Sequence, residues 1–384
     1  MQILGVTLRN LSKSRLLSFR QCPKRLWLEL HRPDLKQDSA ATQASFQRGN
    51  DLGVVARRLY DPEGRGALVD AQAEGYREAL DRSRVLLSAS GIVFEAGAAA
   101  DGAIAFADIL LPVERDGRLG WHMVEVKSAG RVKDYHRDDA AIQAFVFRAA
   151  GVALDSVAIA RVDSKWVYPG DGRYDGLLVE EDLTDEATAR ATDVRDWIAQ
   201  AQGVAALASE PAIRTGGHCS SPFACGFAAY CQGQEPRPRH PATVLPRVMG
   251  DLRDHIEANG IVELEQVPDG LLNPIQRRVK EHTLSGQPYF DAASAAAALS
   301  RHALPALFLD FEAIAPVVPI WPGTRPFQQV PFQFSLHRLA ATGTLEHEAF
   351  LELDGSDPSR ALAEKLVAVC GATEPVFVYN AGFE

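Results

Sequence analysis

In the stretch GWHMVEVKSAG, residues 120–130, Glu125 and Lys127 stand two positions apart in a run that otherwise reads as a buried strand. Alternation along a strand sends both to one face, while Val126 packs on the other. On the preceding β-type run, Asp108 in FADILL shares a face with Phe106 and Leu110. A hairpin through Asp116-Gly117 is expected to bring Asp108 beside Glu125. Two carboxylates held together away from water repel unless a proton or a divalent cation lies between them. A hard oxygen site for Mg²⁺ or Mn²⁺ resolves that conflict. A metal there polarises a phosphoryl oxygen and acidifies bound water, while Lys127 orients the attacking water or offsets charge on a pentavalent transition state. Taken alone, the same trio also describes a structural Asp-Lys-Glu cluster.

The cysteines form a second constellation. Cys219, Cys225 and Cys231 follow one another with five residues between neighbours, and Cys22 lies about two hundred residues earlier. Four thiolates complete one tetrahedral site or one cubane cluster. The close two-residue pair usual in zinc sites is missing. Cys370 stands outside the pattern and reads as a small buried hydrophobe.

The elements that must position these groups follow from periodicity and turn chemistry. Residues 10 to 60 read as helical, with Ser12 or Ser14 as a cap and apolar residues at helical spacing from Phe46 to Tyr60. Ile92 to Glu95, Ile104 to Leu111 and Trp121 to Lys127 read as strands of a meander, punctuated by Asp101-Gly102 and Asp116-Gly117. Asp138 or Asp139 is expected to cap a helix that runs to about Ala150 and stops at Gly151, before a strand from Val157 to Val162. GQEPRPRHP, residues 233–241, reads as a boundary, followed by two short helices around Gly260 and an alanine-rich helix over 292–298. ALFLDFEAIAP then opens a new strand-rich unit.

At 384 residues, 46% hydrophobic and 23% charged, the chain has the composition of two or three packed domains. It has no apolar run of membrane-spanning length, and MQILGVTLRNLSKSR has no apolar core behind a basic end. With five cysteines, an odd count, these features point to a cytoplasmic protein whose thiols stay reduced or bind metal. The net charge of −10 conceals a local exception. From Arg9 to Lys36, eight basic side chains face two acids, which is either a solvated basic helix or a phosphate-binding face.

The order Asp108, Glu125-x-Lys127, then Gln143 on the following helix resembles the PD-(D/E)XK nuclease superfamily, particularly its RecB-like branch. LSKSRLLSFRQCPKRLWL resembles that branch's opening helix, and HCSSPFACGFAAYC supplies the cysteines that close the domain in members such as the AddB nucleases and the CRISPR-associated adaptation exonucleases. The resemblance implies a restriction-endonuclease-like α/β fold, with a central mixed sheet flanked by helices. It implies a 4Fe-4S staple on Cys22, Cys219, Cys225 and Cys231, and a catalytic set of Asp108, Glu125, Lys127 and Gln143 with Glu95 in support. It adds Val126 and Asn50 to Asp108 and Glu125 as metal-site residues; Asn50 stands where relatives have His, and Phe147 where they usually have Tyr. DNA, single-stranded or at ends, is the implied partner, with Lys13, Arg15, Arg20, Lys24 and Arg25 as a channel wall. The chain has no Walker-type phosphate loop, so any helicase motor would be a separate protein.

In LFLDFEA, Asp310 and Glu312 share a strand face, and VFVYNAGFE carries Asn380 and Glu384. These resemble the first two motifs of DnaQ-like DEDD exonucleases, which have an RNase H-like fold. The expected organisation is a nuclease domain over 1–235, a helical connector over 236–303, and the truncated first part of an RNase H-like domain over 304–384. A catalytically decayed nucleic-acid-binding module and a zinc-stapled scaffold remain as alternatives.

Overall fold

The computed structural model describes residues 10–371 and 373–383; Arg9 of the basic segment and Glu384 of the second acidic set lie outside them. The chain is α/β, with mixed sheets flanked by helices, and divides into two units. The first comprises Met1–Ala228 together with Ala313–Pro331 and Leu353–Pro358. The second comprises Ala229–Glu312, Phe332–Glu352 and Ser359–Glu384. The expected three-part division therefore takes a different form. The first break falls at 228, the connector joins the C-terminal strands in one unit, and two late segments pack into the first.

The first unit opens with β1 (Leu11–Ser12), α1 (Lys13–Gln21), α2 (Pro23–His31) and α3 (Ala40–Tyr60), followed by β2 (Ala67–Leu68), α4 (Ala71–Glu74) and α5 (Tyr76–Leu86). The meander is β3 (Val93–Ala100), β4 (Ala103–Arg115) and β5 (Arg118–Lys127), and then come α6 (Asp134–Ala149), β6 (Leu154–Val162), β7 (Leu178–Asp182), α7 (Thr184–Ala189) and α8 (Ala191–Ala205). The sheet order is β2-β3-β4-β5-β6-β7, with β1 pairing parallel to β4. Both meander turns are tight because two successive residues take left-handed backbone, Asp101 and Gly102 at φ 50° and 81°, Asp116 and Gly117 at 53° and 72°. Burial of both faces follows from the alternation. Leu110, Met123, Val157 and Ile159 pack with the small residues Ala140, Ala141 and Ala144 of α6 on one side. On the other, Phe94, Ile109, Val124 and Ala160 pack with Ala56 of α3.

Ser12 caps α1, its side chain accepting from the Arg15 N–H, and Gly151 ends the α6 region at φ 88°. The expected start of α6 is corrected. The helix begins at Asp134, where the Lys133 N–H donates to His136 Nδ1, so Asp138 and Asp139 lie inside it, free to use their side chains elsewhere. Within residues 313–331, Val317 is buried with Leu52, Val55, Val162 and Leu177, and Tyr174 donates through its hydroxyl to the Pro319 carbonyl.

The second unit contains α9 (Ala228–Gln234), α10 (Asp251–Ala258), α11 (Pro274–Ser285) and α12 (Ala292–Leu299). Between Gly260 and Pro268 the chain makes a 3-10 turn at Leu264–Gln266, so the second of the two helices expected around that glycine is a single tight turn. The remaining elements are β8 (Ala306–Ile314), β9 (Val330–Leu339), β10 (Leu345–Leu351), α13 (Ser359–Cys370) and β11 (Val376–Val378), in sheet order β10-β9-β8-β11 with β11 parallel to β8. Among the described residues no helix is long and apolar enough to cross a membrane.

Candidate active site

The β4–β5 ladder ends at Ile109 opposite Val124, and beyond it the two strands part. β5 continues on β6 through Glu125, Val126 and Lys127, while β1 takes a place beside β4 at Ala103 and Ile104. The fork lies on the α6 face of the sheet, because Asp108 is in phase with Leu110, and Glu125 with Met123. At its mouth the Val126 N–H donates to Asp108 Oδ2 at 2.7 Å, so a side chain fills the position a ladder carbonyl would take. Glu95 falls between the paired residues Phe94 and Ala96, opposite Asp108, with φ 55°. That left-handed kink marks a local break in the β3–β4 ladder. Glu95, Asp108 and Glu125 thus stand in register on three neighbouring strands.

Glu125 is 2% exposed, and its Oε1 accepts from Lys127 Nζ at 2.7 Å and from Lys13 Nζ at 2.8 Å. Asp139, buried on α6, pairs with both ammonium groups, Lys13 through Oδ1 at 3.1 Å and Lys127 through Oδ2. Gln143 Nε2 donates to Asp139 Oδ1 at 3.2 Å. Two buried acceptors, Glu125 Oε2 and Gln143 Oε1, have no partner among the described residues. An orphaned carboxylate oxygen away from water is costly, and a cation is one of the few things that satisfies it.

The electrostatics follow from this packing. Burial, then the charge of Glu125, pushes the Asp108 carboxyl well above its ordinary range, and the same two causes raise Glu95. Burial works against charge on Lys127 and Lys13, but Asp139 and Glu125 outweigh it, so both ammonium groups are held above the usual lysine value. For Asp139, burial opposes ionisation and is outweighed by Lys127 and Lys13, which leaves the carboxylate strongly acidic. His136 is lowered to about 4, by burial first and then by Lys127 and Lys133, so its imidazole is neutral near pH 7.

The fork opens on a cavity of about 1290 Å³ lined by Lys13, Arg15, Lys36, Lys127 and Lys133, with Phe46, Tyr135 and Phe223 among its aromatic walls. Such a mixture of cations and rings suits a phosphate backbone carrying bases.

The structure thus gathers Asp108, Glu125, Val126, Lys127 and Gln143, with Glu95 alongside. Asn50 is not brought in: α3 presents Phe46, Gly49 and Leu52 to the cavity, while Asn50 is exposed and is not part of its lining. Phe147 is fully buried in the core. The basic wall is mostly engaged within the fold. Arg20 pairs with Asp138 and lies over the Trp197 ring, Lys24 is 7% exposed and pairs with Glu210, and Arg25 pairs with Glu29. Lys13 belongs to the acid cluster, and Arg15 lines the cavity. Sequence reasoning missed Asp139 and His136 as site residues. The available signal was the i, i+4 relation of Asp139 to Gln143 on one helix face.

Hydrogen bonds join the segments that carry Cys22, Cys219 and Cys225. Cys22 is buried at the α1–α2 junction, and its neighbour Gln21 donates from Nε2 to the carbonyls of His218 and Phe223, at 2.6 and 2.7 Å, on either side of Cys219. The Cys225 N–H donates to the Cys219 carbonyl, closing that loop. Burial raises the Cys225 thiol. Cys231 lies on α9, and Cys370 at the end of α13 packs beside the small core of the C-terminal sheet. Among the described residues, no three His, Cys, Asp or Glu side chains already converge as a metal cage. At the fork, Lys13 and Lys127 stand between the carboxylates instead.

In the second unit Asp310 and Glu312 are exposed on β8, in alternate phase with Leu309 and Phe311. Asn380 follows β11, whose Val378 pairs with Leu309.

Residues 307–384 match a family described as Domain of unknown function (DUF2779). A search of the curated proteins gives no match.

Proposed function

We propose that the first unit is a divalent-metal-dependent deoxyribonuclease of the PD-(D/E)XK type, hydrolysing phosphodiester bonds in single-stranded or end-bearing DNA. The observation that carries this reading is the Glu125 carboxylate, 2% exposed, with Oε2 unsatisfied and Asp108 across the fork. This donor set suits a hard cation, which Asp108, Glu125 and the backbone near Val126 would hold. The ion, when bound, supplies Lewis acidity toward a phosphoryl oxygen and water. Asp139 and Glu125 keep Lys127 charged and aimed, so that its ammonium offsets charge developing on the phosphate. Gln143 fixes Asp139, and the cationic cavity draws in the strand.

End-labelled single-stranded DNA incubated with Mn²⁺ is expected to be shortened by the parent protein and left intact in chelator. The specific observation behind a second reading, a decayed binding module, is that Lys13 already neutralises the acids. Binding of the strand without cleavage under any divalent metal would select it.

The same reading includes a 4Fe-4S cluster on Cys22, Cys219, Cys225 and Cys231, supported by their spacing and by the grip of Gln21 on the Cys219 loop. Preparations made without oxygen are expected to be brown, with a broad visible band. Cys22→Ser should lose that band and melt at lower temperature, since a cluster joining distant segments adds its binding energy to folding. Colourless protein containing zinc would instead identify a zinc staple. For the second unit, Asp310, Glu312 and Asn380 are the corresponding part of a DnaQ-like site.

A further inference from the structure

We infer that Lys13 is a tethered counter-ion that competes with the divalent metal for Glu125, and that metal binding releases its ammonium into the cavity, where it serves as a phosphate contact. This deepens the nuclease reading and rests on it. Lys13 and Lys127 both donate to the same oxygen, Glu125 Oε1, at 2.8 and 2.7 Å, while Oε2 of that carboxylate has no partner. One oxygen with two ammonium groups beside one with none is an uneven distribution of charge, and each lysine lowers the benefit of the other. A divalent ion on Oε2 adds more positive charge to the crowd. The least firmly held cation leaves first.

That cation is Lys13. Lys127 belongs to a continuous strand paired along β6, and although Asp139 pairs with both lysines, its Oδ2 holds Lys127 more closely than its Oδ1 holds Lys13 at 3.1 Å. Lys13 is the first residue of α1, behind a β1 that spans two residues and pairs with β4 at two positions. Lys13 and Arg15 both line the cavity, and the Lys13 side chain is 19% exposed, so it has a path outward. Rotation about its own side-chain bonds moves the ammonium from the acids toward solvent without moving the strand. The site is therefore balanced without metal and recruits a substrate contact when metal arrives.

The test is Mn²⁺ binding in the absence of DNA, followed by the electron paramagnetic resonance of free Mn²⁺, with the parent, Lys13→Met and Glu125→Gln. Lys13→Met is expected to bind Mn²⁺ about tenfold more tightly than the parent, and Glu125→Gln to bind far more weakly. Lys13→Met binding equal to or weaker than the parent's, with Glu125→Gln still defective, overturns the competition and leaves the metal reading intact. If parent and Lys13→Met both fail to bind, the metal reading falls and the competition with it. A measurement on the parent alone covers a variant that fails to fold. Brief acetylation read by mass spectrometry should modify Lys13 more in Mn²⁺ than in chelator while Lys127 stays protected. Lys13 labelling that is unchanged or reduced at saturating Mn²⁺ overturns the proposal.

Discussion

Lys127→Ala is expected to lower Mn²⁺-dependent DNA cleavage by about a hundred- to a thousandfold, the usual cost of removing one preorganised charge from a developing phosphate anion. The loss should fall on kcat, because the cavity keeps Arg15, Lys36 and Lys133 for binding the strand. Lys127 suits this role because it is held by two acids: burial opposes its charge, and Asp139 and Glu125 restore it. An arginine substitution should not rescue, since a wider planar group does not fit a point held between two carboxylates. Single-turnover cleavage by the alanine variant within about threefold of the parent would remove Lys127 from the chemistry and favour a purely structural cluster.

Asp139→Asn is expected to cost about 3 kcal/mol of stability at neutral pH, the scale for removing one partner from a buried ion cluster. It leaves Lys13 and Lys127 sharing one oxygen of Glu125, with no second anion to divide them. The pH dependence identifies the cause. The Asp139 carboxyl is held far below its unfolded value, so its contribution is full above about pH 4 and is lost as pH falls toward the folded value. The two lysines are raised, so their share is full below about pH 10 and fades as pH climbs through their folded values. Urea melts of parent and variant should therefore differ most between those limits and converge in acid. A gap unchanged in acid would mean that Asp139 acts by shape rather than charge.

The meander was legible because its signals are local. Two Asp-Gly turns and the alternation of side chains place Asp108 and Glu125 on neighbouring strands of one hairpin, and the observed ladder sets them across from each other. The remainder depends on partners far apart in the chain. A basic run from Arg9 to Lys36 reads as a surface, yet Glu210 lies opposite Lys24, and Asp138 opposite Arg20. Asp139 resembled a cap because an aspartate near a helix start usually is one; its partners, Lys13 and Lys127, come from other elements. Asn50 followed a motif position, but one residue on a helix turns a side chain by about 100°, enough to leave Gly49 facing the cavity and Asn50 facing out. The Cys219 loop was legible as spacing, and its attachment through Gln21 was not, since nothing local distinguishes that glutamine.

Residues 313–331 carry a consequence for synthesis. Val317 is buried against Leu52, Val55, Val162 and Leu177, side chains that leave the ribosome long before it does. Folding during translation ordinarily lets an early region finish before the next begins. Here that early region stays unsealed, with an apolar hollow open, until the later chain has been made and returned to it. A nascent chain stalled ahead of residue 313 would be the form most in need of a chaperone.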